Sequence, residues 1–258
     1  MPARTRATFA SRRRIAAGLI VVGVLAHAAR VRATTCAPPP NAEARVVFID
    51  GGERLHWIDE HMDHEASRAR LWSRSWGIGI GASGLASLAA VPFVAPSNRV
   101  DWYTGAVSAA VGIVPFIVSP LTVTRDAPKV SAAVSATAFD DDARVCATLF
   151  DAERKLAAAA DNQRWQQGWW IHTGNLAFNA GVLLFLGLGY HHWVSGIING
   201  ASGAVVGEAI ILTQPTGSIS DLREYVRGDL ARAKQAKGRR KNLTMFYIGW
   251  GGLGIIFE

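Results

Sequence analysis

Glu208 stands at the edge of a long uncharged stretch: residues 165–207 contain no Asp, Glu, Lys or Arg. An ionisable group at membrane depth is costly, and by default marks a functional position. His172, Asn175 and Asn179 follow one another at spacings of three and four, which put them on one helix face. If the chain turns back near His191-His192, residue 208 falls level with residue 175. Glu208, His172, Asn175 and Asn179 are therefore expected to form an intramembrane polar cluster, with Asn199 nearer the turn. Such a cluster could carry protons, bind a cation or hold a polar ligand. The plainer reading, which we prefer, is that these groups hydrogen-bond one another and fix two helices.

His61, His64 and Glu65 make a second candidate. His61 and Glu65 are four apart, as are Glu60 and His64, so each pair shares a helix face and could ligate Zn²⁺ or Cu²⁺. The histidines are three apart rather than the four of the zinc-protease helix motif, which favours a solvated acidic face. His191-His192 reads as a turn at headgroup level. No phosphate loop is present, because Gly77, Gly79 and Gly81 lie in an apolar run without a following Lys-Ser/Thr. No nucleophile elbow or Cys–His pair occurs in a recognisable setting. No cofactor is expected, and an enzyme is the less favoured class.

The elements that must position these residues follow from charge. The chain of 258 residues has 27 Lys+Arg against 20 Asp+Glu, a net charge of +7, with half its residues apolar. Apolar content this high excludes a disordered chain, and two cysteines exclude a disulfide scaffold. Seven of the 27 bases and none of the acids lie in residues 1–33, so the remainder balances at 20 against 20. Residues 1–33 have the three parts of a secretory signal: a basic start, an apolar run over 15–25, and small-residue cleavage patterns at Ala26-His27-Ala28 and Val31-Arg32-Ala33. A nucleic-acid partner loses its support, since the one later basic cluster, over 234–241, is short.

Charge is also absent from residues 75–98 and 102–124. We place four transmembrane helices at 76–95, 102–123, 171–190 and 193–213, each about the 20 residues needed to span the hydrocarbon core. Seven of the nine tryptophans lie at or near their ends, where indoles prefer the headgroup zone. The short connections between paired spans require two antiparallel hairpins. Gly77, Gly81 and Gly84 in the first span, and Gly196, Gly200, Gly203 and Gly207 in the fourth, form faces for close helix packing. Pro115 and Pro120 should kink the second span.

The chain also repeats. Trp102-x-Thr104-Gly105, Gly112 and Thr122 recur 91 residues on as Trp193-x-Ser195-Gly196, Gly203 and Thr213. Leu55, Ile58 and Met62 match Leu149, Ala152 and Leu156 at a shift of 94. The fold class is thus an all-α membrane protein: two antiparallel membrane hairpins, each preceded by an amphipathic extramembrane helix, at 53–74 and 141–165. Ile117 is the counterpart of Glu208, so the polar cluster is not duplicated. The organisation is a signal peptide at 1–33, an exported segment at 34–52, repeat 1 at 53–124, a linker at 125–140, repeat 2 at 141–213, and a tail at 214–258. The tail holds a third amphipathic helix at 219–237 and an apolar run at 243–257, a strand or interfacial segment that could pair with 46–49.

Export of the mature N-terminus returns the C-terminus to the same side after four spans. Cys36 and Cys146 then share an oxidising compartment where a disulfide can form. The positive-inside rule points the other way, because only Arg99 would remain inside. The leader is the more specific signal, so we favour the inner membrane of a bacterial envelope with the extramembrane helices in the periplasm. The function expected is structural or interaction-based within a larger complex, with membrane lipid and a protein partner or second copy. The alternative is a transporter or channel component using the Glu208 cluster, and weaker still is a metal-binding external helix.

Overall fold

The structure, a computed structural model, describes residues 34–230, 245–249 and 252–256. The expected signal peptide at 1–33, the basic cluster at 234–241 and the distal part of the expected 219–237 helix lie outside the described residues. Seven α-helices make up nearly all the regular structure described: α1 Gly51–Ala90, α2 Arg99–Val118, α3 Thr122–Ala136, α4 Asp142–Gln166, α5 Trp169–Tyr190, α6 Trp193–Leu212 and α7 Gly217–Arg227.

The helix ends carry local causes. Asp50 caps α1 by accepting from the Glu53 amide at 3.0 Å, and Asp141 caps α4 by accepting from Ala143 and Arg144. These side chains satisfy amides that a first turn leaves unpaired. Gly228, at φ 69°, ends α7 in the left-handed conformation that glycine adopts most readily. The expected 219–237 helix is therefore interrupted after Arg227, and Leu230 is helical again. His191, also left-handed at φ 63°, reverses the chain between α5 and α6.

The 40 residues of α1 form one rod of about 60 Å, at 1.5 Å per residue. Its first half is amphipathic and its second half is apolar. Leu55, Ile58, Met62, Ala66 and Ala69 are fully buried, whereas beyond Ala69 only Gly84 is buried. The first half packs in a core with α3, α4 and α7, built on Val123, Val130, Leu149, Leu156 and Tyr225. Segment 125–140 is thus not a linker, because most of it belongs to α3. Val123, Ala127, Val130 and Val134 form a buried stripe at helical spacing. Burial of that stripe outweighs the backbone hydrogen bond lost at Pro128.

The second half of α1, with α2, α5 and α6, has the opposite character. Four helices are long and apolar enough to cross a membrane, with at most 17% of each apolar window buried. Ile78, Ile117, Val194 and Leu212 are among the large apolar side chains that face outward. A soluble protein does not expose apolar surface on this scale, so the chain has the surface of a membrane protein. Along α5 and α6 the contacts run in opposite directions, from Gly196 near Leu183 to Gly207 near Asn175. Gly84 faces Ala109 and Gly81 faces Ile113 between α1 and α2 in the same sense.

Three further expectations need correction. The second span ends at Val118, so Pro115 is inside the helix but Pro120 lies in the break before α3. Segment 46–49 does not pair with the C-terminal run, because Ala44–Phe48 is a 3-10 turn. Instead β1 Met245–Gly249 and β2 Gly252–Ile256 pair with each other, antiparallel, with Met245 opposite Ile256. Gly77 does not pack against a neighbouring helix, since a methyl group there would meet open space.

Candidate functional site

The first three turns of α5 and the last turns of α6 bring Glu208, His172, Asn175 and Asn179 together. Glu208 Oε2 lies 2.6 Å from His172 Nδ1, and its Oε1 accepts from Asn175 Nδ2 at 2.9 Å. The same Asn175 nitrogen donates to the Ala204 carbonyl at 3.0 Å. Asn179 Nδ2 donates in turn to the backbone and side-chain oxygens of Asn175, both at 2.9 Å. The result is a ladder of side chains joining two helices. The Glu208 and His172 side chains keep 28% and 32% exposure, so one edge of the pair faces outward. Asn199 stands apart and donates to the Ser195 carbonyl.

The glycine face of α6 is what admits this ladder. A methyl group at Gly203 would overlap the Asn179 amide oxygen, and one at Gly207 would overlap that of Asn175. At Gly196 and Gly200 the obstacle is backbone, the carbonyls of Leu183 and Asn179 at 2.8 Å. Half of this face therefore serves close backbone approach, and the other half makes room for amide side chains.

A second polar group lies at the opposite end of the spans, where the sequence suggests no more than a turn. His192 Nδ1 is 2.7 Å from Asp101 Oδ1, and Ser195 Oγ donates to Asp101 Oδ2 at 2.8 Å. Asp101 and His192 are 91 residues apart, the same shift that relates Trp102 to Trp193. That coincidence was the signal available in the sequence. Trp72 and Trp76 of α1 both donate to Thr213 Oγ1, at 3.3 and 3.1 Å, and join α1 to the end of α6.

Outside the spans, Arg54 is fully buried and was not singled out from the sequence. It forms an ion pair with Glu153, donates to Tyr225 Oη at 2.9 Å, and donates to the Cys36 carbonyl at 3.1 Å. Tyr225 donates in turn to Glu153. Burial, and then the adjacent Glu153 charge, push the Tyr225 phenol well above its ordinary value. Asp126 shows the reverse balance. Burial opposes its ionisation, but Arg125 and Lys129 outweigh that and hold its carboxyl below the usual range.

The candidate metal residues separate. Glu65 is buried and accepts from Gln163 Nε2 at 3.0 Å and from the Gly217 amide at 2.6 Å, which caps α7. His61 Nδ1 sits 2.8 Å from the Trp57 carbonyl with its ring stacked on that tryptophan. Among the described residues, no group of three or more His, Cys, Asp or Glu side chains is arranged to hold a metal ion. The reason is that Glu65 points into the core rather than along the face of His61. Cys36 and Cys146 are joined by a disulfide, which ties the start of the described chain to α4.

These features define a helical membrane protein with a packed bundle beside its candidate spans. Comparison with protein-family models, with curated proteins and with solved structures finds no match for the chain.

Proposed function

We propose that this chain is an exported, four-span membrane anchor that holds a rigid helical bundle on the outer side of a bacterial inner membrane, with a structural or interaction role in a larger complex. The observation that carries this reading is the closure of the Glu208 ladder. Both Glu208 oxygens accept hydrogen bonds, from His172 and Asn175, so the intramembrane polar groups are committed to holding α5 and α6 together. The disulfide favours export, since such bonds persist in oxidising compartments. Cross-linking in the native membrane followed by purification tests the role. A defined partner or a second copy of the chain is the expected product, and recovery of the uncross-linked single chain alone contradicts it.

Duplication accounts for the architecture. Each copy is an amphipathic helix, two antiparallel spans and a closing amphipathic helix, α3 or α7. The matched positions Leu55 and Leu149, and Met62 and Leu156, are buried in one core. Asp101 and its counterpart His192 touch, as residues beside a two-fold axis do. Each closing helix is also capped from the other copy: Asn162 accepts from the Thr122 amide, and Glu65 accepts from that of Gly217.

A second reading rests on the outward edge of the His172–Glu208 pair, which leaves these two ionisable side chains within reach of a passing proton or cation. Under that reading Glu208→Gln abolishes a proton or cation flux in proteoliposomes while leaving folding intact. An unchanged flux, or none in the wild type, removes it.

A further inference from the structure

An apolar groove of about 500 Å³ runs between α2 and α5, walled by Val100, Tyr103 and Val107 on one side and by Phe178, Gly181 and Phe185 on the other. We infer that this groove holds one acyl chain of an anionic glycerophospholipid, with the phosphate at Arg99. The inference rests on the membrane reading of these helices.

Length selects the occupant. The lining covers residues 100–108 of α2 and 177–185 of α5, about 12 Å along each helix at 1.5 Å per residue. That is most of one leaflet, since the whole hydrocarbon core is about 30 Å thick. A helix of a second copy would need a groove twice as long. Gly181 forms open floor, because a methyl group there would meet nothing within 4 Å. The groove begins at the end of the spans remote from the bundle, where Val100 lines it and Arg99 precedes Val100.

Charge selects the headgroup. Asp101, the nearby carboxylate, is held by His192 and Ser195. Arg99 is exposed, and among the described residues no carboxylate pairs with it. A lone arginine at headgroup level beside an apolar groove is complementary to a lipid phosphate.

The test uses the full-length protein in vesicles of equal phosphatidylglycerol and phosphatidylcholine, then detergent extraction and native mass spectrometry. One phosphatidylglycerol retained per chain is expected. Gly181→Leu places a side chain in the open floor and should lower that retention several-fold. Arg99→Gln leaves the groove intact, so the preference for phosphatidylglycerol should vanish while lipid is still held. The inference is overturned if the wild type retains no lipid or both lipids equally. It is also overturned if both variants behave as wild type, or if the groove proves to be filled by a second copy, seen as a dimer that Gly181→Leu dissociates. Carbonate extraction of the same membranes separates the two levels. A chain released by carbonate defeats the membrane reading itself, whereas a chain that resists but carries no lipid defeats only this inference.

Discussion

Glu208→Leu removes the acceptor of two donors, His172 Nδ1 and Asn175 Nδ2, inside the spans. Hydrogen bonds between helices in membranes are worth roughly 0.6 to 2 kcal/mol, so a loss of about 1–2 kcal/mol is expected on unfolding the purified protein with SDS. Gly207→Ala should cost a similar amount by displacing the Asn175 amide, and that cost should largely disappear in an Asn175→Ala background. Additive costs would show that the glycine acts on backbone packing instead. Tyr225 supplies a test with pH. Its phenol is raised above the ordinary value of about 10, so the stability it contributes is present below pH ~10 and is lost as pH rises further. The melting temperature of the wild type should therefore fall more steeply between about pH 9 and 11 than that of Tyr225→Phe. Parallel slopes would contradict the buried Arg54–Glu153–Tyr225 network as described.

At the scale of elements, the spans were legible because a soluble helix seldom runs about 20 residues without a charge. The amphipathic parts of α1 and α4 were legible from Leu55, Ile58 and Met62 and from Val145, Leu149 and Leu156, which recur at helical spacing. α3 was not, because Arg125-Asp126-Ala127-Pro128 resembles a break and the stripe around it is made of small valines and alanines. Its basic residues Arg125 and Lys129 lie outside, and Asp126 is buried against them. The Glu208 ladder could be placed from hairpin geometry. The Asp101–His192 contact was hinted at only by the shift of 91, because it joins the starts of α2 and α6, whose meeting depends on how the hairpins pack. Hydrogen exchange checks α3 directly: amides of residues 126–134 should be protected to the same degree as those of α4. Rapid exchange there would return the segment to a linker. Reduction of the Cys36–Cys146 bridge, which closes 110 residues, should cost the bundle about 2–4 kcal/mol by freeing the unfolded chain. Melting of the bundle with and without reductant would show no shift if the bridge contributes nothing.

The whole molecule joins two solvents. One continuous helix, α1, leaves a packed bundle and enters a region whose apolar side chains face outward. The Trp72 and Trp76 bonds to Thr213 lie at that junction and fasten α1 to α6. The net charge of +7 is carried by residues 1–33, and the rest of the chain is balanced. The bundle can therefore face an exported compartment although the positive-inside rule alone would put it in the cytoplasm. The side on which the bundle lies is the central claim, and its two cysteines report on it. Spheroplasts are treated with a membrane-impermeant reductant and then with an impermeant thiol reagent. The account predicts that Cys36 and Cys146 are unlabelled before reduction and both labelled after it in intact cells. Labelling that appears only after lysis would place the bundle inside and contradict the account.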